Sequence, residues 1–523
     1  MKLIPRPVEY AVKQGTVGWS SATAVVGDFP QTIKQAKQLL AGKKAGKESR
    51  LNFTKDMRLA PEGYAIKSSP EGIQVLASTE AGAFYALMSL NQLGESGEME
   101  CCYVRDEPKY GYRSFQLDCS RHFWTVDKIK QFLRLQAAVK MNTFHWHLSD
   151  DQGWRAEIKK YPLLTEKGSI RKNTQISLVG YNQGKEAHDD KEYGRGMFYT
   201  QEQMKEIVAY AASLHIQVVP EIDMPGHMVA AIACYPELSC TGEPAEVSTR
   251  WGVMDNICCC GKENIYNFAK DIIDELCEIF PAPYFHIGGD EVPKTRWKTC
   301  PNCQAKIKEL GLKDENALQG YFNNEMAKYL RSKGKRMIGW NEVLDAADIM
   351  DKDVIAQWWV FRGSKKRELG WLEKGGNLIL SIWDYVYMDH PYNVRPLSKT
   401  YKMTISKVGI KDKKGILGVE CPQWCEYIRD EKKLNFLSFA RIITLAEVGW
   451  TPDYRMDYSD FETRLEQLRT FFESNGWYIP PQKVYRGKAR DFKTLTYAGR
   501  WNMWRINSYW EVEWTESHFG KIF

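Results

Sequence analysis

The chain has 523 residues, 43% hydrophobic and 26% charged, the composition of a folded protein too long for one core, so two or three domains are expected. Its net charge of +6 is a small difference between 72 basic and 66 acidic residues, with no dense Lys/Arg block, which argues against a nucleic-acid partner. No run of about 18 apolar residues occurs, which excludes a membrane-spanning helix.

The start, Met1-Lys2-Leu3-Ile4-Pro5-Arg6-Pro7, lacks a long apolar stretch. An exported protein whose leader has been removed reads the same way, so the compartment stays open: periplasm, cell surface and secretion all fit. Residues 1–106 read as a small N-terminal α+β domain. Short strands are expected at 63–67 and 72–76 around a Ser-Ser-Pro-Glu turn, then a helix over 81–93. The polar, proline-marked stretch Arg105-Asp106-Glu107-Pro108-Lys109 is the expected domain boundary.

Over residues 107–479 the rhythm becomes apolar strand, loop, amphipathic helix, repeated. Eight strands are expected, at 114–118, 143–147, 217–222, 284–287, 336–339, 354–357, 377–382 and 416–419. Between them, 201–213 sets Met204, Ile207, Val208 and Ala211 on one helical face behind a Thr200/Gln203 capping-box spacing, and 265–280 repeats the pattern. The fold class expected is α/β, a (β/α)8 TIM barrel catalytic domain preceded by the small α+β domain; a doubly wound open sheet would share the rhythm. Residues 480–523 are aromatic without a clear period and are read as a C-terminal packing extension.

A barrel carries its reactive groups at the C-terminal ends of its strands. Arg121 follows the first expected strand, Asp150 the second, His227 the third, and Asp290 with Glu291 the fourth. Trp340, Trp359, Tyr387 with Asp389, and Trp424 with Glu426 follow the other four. The most concentrated signal is Tyr284-Phe285-His286-Ile287-Gly288-Gly289-Asp290-Glu291-Val292, a buried strand ending in two glycines and two carboxylates. The glycines are expected to leave room for a ligand against the backbone. Carboxylates at such an edge are costly unless something uses them.

These residues carry a resemblance. Asp118-Cys119-Ser120-Arg121-His122-Phe123, the run from His145 through Asp150 to Trp154, Pro220-Glu221-Ile222-Asp223-Met224-Pro225-Gly226-His227, Gly339-Trp340-Asn341-Glu342, Trp424-Cys425-Glu426 and Leu445-Ala446-Glu447-Val448-Gly449-Trp450 resemble, in order and spacing, the family 20 glycoside hydrolases, the β-N-acetylhexosaminidases. The likeness covers roughly residues 1–480 and implies an exo-acting retaining enzyme that removes terminal β-linked GlcNAc or GalNAc from an oligosaccharide or glycoconjugate, without a cofactor or metal. In that family the substrate's 2-acetamido carbonyl is the nucleophile and closes to an oxazolinium ion. The resemblance implies Glu291 as general acid and then base, and Asp290 as the group that orients the acetamido N–H. Trp340, Trp359 and Trp424 match a cage around the acetamido methyl, with Trp358 able to exchange roles with Trp359, and Tyr387 matches a donor to the attacking oxygen. Arg121 and Glu426 match a clamp on the sugar hydroxyls, Asp389 bonds another, and Asp150 and His227 support the acidic pair. Two close carboxylates also push their proton affinities apart, which suits an acid that must keep its proton.

The segment Val419-Glu420-Cys421-Pro422-Gln423-Trp424 departs from the family's more usual Gln-Gly-x-Leu-Trp approach, and residues 181–195 are polar with little period, a candidate loop over the cleft. Two rival readings are a metal-dependent barrel hydrolase, prompted by His145 and His147 on one strand face, and a sugar-binding barrel without catalysis. The thirteen cysteines are an odd count. Cys300-Pro301-Asn302-Cys303 has metal or redox spacing, but Cys258, Cys259 and Cys260 cannot all face one ion, so ordinary thiols or a local disulfide are expected. Preference between GlcNAc and GalNAc and the oligomeric state are not legible.

Overall fold

The computed structural model describes residues 2–175, 188–360 and 365–487. Residues 488–523 of the expected extension and 181–187 of the expected cleft loop lie outside the described residues.

The N-terminal unit is a six-stranded sheet of β1 (Glu9–Gly18), β2 (Thr23–Gly27), β3 (Ser49–Lys55), β4 (Tyr64–Ser69), β5 (Gly72–Ala77) and β6 (Glu98–Asp106), in the order β1-β6-β4-β5-β3-β2. Helices Pro30–Ala41 and Glu80–Leu93 pack on it and on each other. The second begins where Thr79 accepts the Gly82 N–H. Gly82 is needed there because a Cβ would lie 2.5 Å from the Gly63 carbonyl. Strands β4 and β5 have the apolar alternation that makes them readable, whereas β1 is largely exposed and lacks it.

All eight expected barrel strands form: β7 (Tyr112–Asp118), β8 (Thr143–His147), then, after a two-residue hairpin β9 (Ser149–Asp150) and β10 (Gly153–Trp154), β11 (Gln217–Glu221), β12 (Tyr284–His286), β13 (Arg336–Trp340), β14 (Ile355–Trp358), β15 (Asn377–Leu380) and β16 (Ile416–Gln423). They close in sequence order, every pairing parallel, with β16 returning to β7. The open-sheet alternative is therefore excluded. Helix Gln201–Ser213 carries the full Thr200/Gln203 capping box. Strand β16 runs four residues past its expected end, through Pro422, whose carbonyl accepts the Met388 N–H at 3.0 Å.

The expected boundary segment is not a loose linker. Asp106 is 1% exposed and accepts from Lys140 Nζ at 2.9 Å and Trp450 Nε1 at 2.8 Å. Arg113 forks onto Glu62 at 2.8 and 3.0 Å. Asp106 of this segment and the nearby Arg113–Glu62 pair tie the sheet domain to the barrel, each charge paired where burial would otherwise be costly. Among the described residues no helix is long and apolar enough to cross a membrane.

Candidate active site

A cavity of about 320 Å³ opens at the C-terminal mouth of the barrel. Its wall holds ten of the eleven residues expected from the sequence: Arg121, Asp150, His227, Asp290, Glu291, Trp359, Tyr387, Asp389, Trp424 and Glu426. The eleventh, Trp340, is not on the wall. It is 1% exposed, its ring 5.6 Å from that of Trp424 and its indole N–H donating to Glu221 at 2.8 Å, so it underlies the wall.

The glycines before the acidic pair serve a different purpose from the one expected. Gly288 (φ +66°) and Gly289 (φ +90°) both need a left-handed backbone. A Cβ on Gly288 would sit 1.8 Å from Asp223 Oδ1, an oxygen that accepts the Gly289 N–H at 3.1 Å. The space thus belongs to the Asp223 carboxylate. The turn then carries Glu291 itself to φ +48°, and its partner His227 sits at φ +51°. Both are non-glycine residues in a conformation that costs of order 1–3 kcal/mol, held by the surrounding loops.

His227 is the electrostatic hub. Its Nδ1 lies 3.2 Å from Asp150 and 3.1 Å from Asp151, and its Nε2 lies 3.9 Å from Asp290 and 3.6 Å from Glu291. Burial disfavours the imidazolium, but the Asp150 and Asp151 carboxylates outweigh it and hold the ring's pKa well above its usual value. For Asp150 burial is likewise outweighed, here by Arg121 at 2.7 Å and by His227, and its pKa is lowered. Asp290 is displaced upward, to about 6, by burial first and Glu291 second, with His227 opposing. Its Oδ1 and the His227 Nε2 are buried without a hydrogen-bond partner among the described residues, an arrangement expected to cost free energy unless a ligand completes it.

The two adjacent tryptophans differ in position. Trp358 is fully buried, while Trp359 lines the cavity, nearly parallel to Tyr387 at 6.0 Å, with its N–H on Glu342 at 2.9 Å. Trp424 closes the wall beneath Arg121, whose guanidinium lies 5.1 Å from its ring centroid. Arg121 itself is held by Asp118 at 3.3 Å and Gln152 at 2.9 Å as well as by Asp150. Burial pushes Glu426 up to about 7 and Asp389 to about 6, and Asp389 Oδ1 also lacks a partner among the described residues.

Sequence reasoning passed over several participants. Asp223 lines the cavity, and with burial and Asp290 beside it its carboxyl is held well above the usual range. It follows Glu221 by two residues, the spacing that returns a side chain to the same face, and that was the available signal. Glu342, raised to about 8 by burial and then Asp290, had only its place after Trp340 to mark it. Trp383 and Asp384 also face the cavity, on a short helix with no periodic signature.

The histidines that prompted a metal reading lie below this floor. His145 pairs with Glu221 at 3.1 Å and Glu420 at 2.9 Å, His286 with Glu221 at 3.0 Å, and His147 with Glu221 and Asp150. Glu420, where the sequence departs from the family, is part of this buried layer and also bonds Gln357 and the Tyr112 hydroxyl. Two groups that share His227, one with Asp150 and Asp151 and one with Asp223 and Asp290, bring their ligand atoms within 4.8 Å of one another, close enough to hold a cation.

Comparison with known proteins agrees with this geometry. Residues 110–453 match the glycosyl hydrolase family 20 catalytic domain and residues 1–107 match its domain 2. The chain is 35% identical to a beta-hexosaminidase of Porphyromonas gingivalis over 84% of its own length and 57% of that protein's. It is 34% identical to one of Vibrio furnissii, over 74% and 65% respectively. It thus spans about three-fifths of the length of these relatives. A crystal structure of β-N-acetylhexosaminidase from Bacteroides fragilis superposes with a TM-score of 0.79 at 32% identity, covering 92% of this chain and 97% of that one. An exo-β-N-acetylglucosaminidase of Vibrio harveyi in complex with N-acetylglucosamine gives 0.79 at 31%, covering 92% and 79%. A closed barrel with its acidic pair after the fourth strand, a preceding α+β sheet domain and matches over both parts have one reading: the chain belongs to glycosyl hydrolase family 20.

Proposed function

We propose that the protein is an exo-acting, retaining β-N-acetylhexosaminidase that removes one terminal β-linked GlcNAc or GalNAc at a time, with the sugar's own acetamido oxygen as nucleophile. The observation that carries this reading is that Asp290 and Glu291 line the same small cavity as Trp359, Tyr387 and Trp424. About 320 Å³ lies at the small end of ligand pockets, which suits a single sugar and hence exo cleavage.

In this reading Glu291, 40% exposed to the cavity, protonates the leaving oxygen and later takes a proton from water. Asp290 accepts the acetamido N–H and offsets the positive charge that develops as the oxazolinium ring closes. Trp359, Tyr387 and Trp424, with Trp340 beneath them, hold the acetamido group in a near-attack pose, and the Tyr387 hydroxyl donates to its oxygen. Arg121, Asp389 and Glu426 bind the sugar's hydroxyls. His227, charged and fixed by Asp150 and Asp151, lies within 4 Å of both catalytic carboxylates and keeps their charges compatible.

The test is release of nitrophenol from an aryl β-GlcNAc glycoside. Loss in Glu291→Gln with retention in a remote surface variant supports the reading. Binding of the sugar without any turnover by the wild-type chain would instead favour a non-catalytic barrel. Inhibition by a thiazoline mimic of the oxazolinium tests substrate assistance separately.

A further inference from the structure

Four of the thirteen cysteines, far apart in sequence, meet at one point. The sulfurs of Cys240, Cys259, Cys300 and Cys303 all lie within 4.8 Å of one another. Cys259 is 3.6 Å from Cys300 and 3.5 Å from Cys303, and Cys240 is 4.0 Å from Cys303. Four thiolates at ~2.3 Å from a tetrahedral Zn²⁺ would stand about 3.8 Å apart, which falls inside this range. The objection that three consecutive cysteines cannot share an ion holds. Only Cys259 turns inward, while Cys258 faces the Met228 sulfur at 3.3 Å. The fourth donor comes instead from Cys240, which stands alone in its loop and has no spacing signature.

The local backbone is built to hold the cluster. Ser239 and Cys258 form an antiparallel bridge, and the Cys259 N–H donates to Leu238 at 2.8 Å. A Cβ on Gly261 would lie 2.3 Å from the backbone of Asn302 and Cys303, so only glycine lets the two segments approach. Cys300 is the N-cap of helix Pro301–Glu309 and Cys303 lies in its first turn, where the helix dipole favours thiolates. Cys259, Cys300 and Cys303 are buried and Cys240 is half-exposed. The donor set is all sulfur and closed, which is structural rather than catalytic chemistry.

We propose that these four cysteines bind one structural Zn²⁺, which clasps the loop after β11 to the segment after β12. Those are the connections that carry His227 and the Asp290–Glu291 pair. The Cys258 N–H donates to the Pro225 carbonyl at 3.0 Å, two residues before His227. The clasp therefore sits behind the catalytic loops, and it stands whether or not the proposed activity does.

The test is the metal content of the full chain, expressed in zinc-supplemented medium without chelators and measured by inductively coupled plasma mass spectrometry. One equivalent of zinc per chain is expected, released by a thiol-specific mercurial and reported by a zinc-binding dye. Cys259→Ser and Cys303→Ser should each lose it. Cys240→His, which keeps a zinc donor, and Cys277→Ser, outside the cluster, should keep it. Because a serine variant can fail to fold, the wild-type chain is also melted with and without chelator, and a lower Tm with chelator, restored by Zn²⁺, is expected. Absence of zinc from the wild-type chain, a disulfide among these four cysteines in non-reducing peptide mapping, or iron in place of zinc would overturn the assignment.

Discussion

Asp290 carries a buried charge whose cost can be measured. Folding moves its carboxyl from 3.8 to about 6, mainly because the site is dry. At ~1.4 kcal/mol per pH unit that is about 3 kcal/mol of stability given up to keep a charge there at neutral pH. The sign follows from the direction of the shift. The protonated form's advantage is complete below about pH 4, is lost as pH rises through about 6, and is gone above. Asp290→Asn removes the charge but leaves one acceptor position poorly matched, which returns ~1 kcal/mol, so the variant should be about 2 kcal/mol more stable than wild type at pH 7.5 and no more stable at pH 4. In melts this is a shift of a few degrees at most for a chain of this size. Activity should move the opposite way, because an amide cannot offset the positive charge on the closing ring. The wild type's kcat/KM should climb on an acidic limb near pH 6. A variant less stable than wild type at pH 7.5, or a Tm difference that does not change between pH 4 and 7.5, would show that Asp290 carries no such buried charge.

Other outcomes follow from the same geometry. Gly288→Ala adds a methyl 1.8 Å from Asp223 at a left-handed position, whereas Gly311→Ala has a similar φ (+62°) and nothing within 4 Å. Both should pay ~1 kcal/mol for the backbone, but only Gly288→Ala should also lose several degrees of Tm and most activity, and equal melting of the two would contradict the packing described. Trp359→Ala should lower kcat/KM for an aryl β-GlcNAc glycoside by roughly 10²-fold through a mispositioned acetamido group, whereas Trp358→Phe, a change to a fully buried ring, should act on Tm more than on kcat. Lys140→Met leaves Asp106 a buried charge without its cation and should cost about 3–5 kcal/mol, measurable as lost cooperativity between sheet domain and barrel in denaturant melts.

Much of the barrel was legible because parallel strands buried on both faces leave apolar runs, and because consecutive βα units repeat that signal eight times. The site was legible because the barrel rule assigns meaning to whatever follows each strand. What escaped has physical causes. β1 shows no alternation because most of it faces solvent. The burial of Asp106 at the expected boundary did not show in that polar stretch, because paired, buried charges and exposed ones are written with the same letters. Asp223 was hidden behind Gly288: sequence shows that a glycine is needed, not which neighbour needs the room. The cysteine cluster escaped for the same reason, since Cys240 meets Cys303 only through the closed barrel's loop geometry.

The central claim is that Asp290 and Glu291 act on a substrate that carries its own nucleophile. It is tested most directly by kcat/KM for aryl 2-acylamido-β-glucosides in which the acyl group runs from acetyl through fluoroacetyl to trifluoroacetyl. A steep fall is expected as the carbonyl oxygen becomes a weaker nucleophile, with the loss preserved in sign across leaving groups. A rate insensitive to the acyl group, or a covalent sugar ester trapped on Asp290 or Glu291, would contradict it.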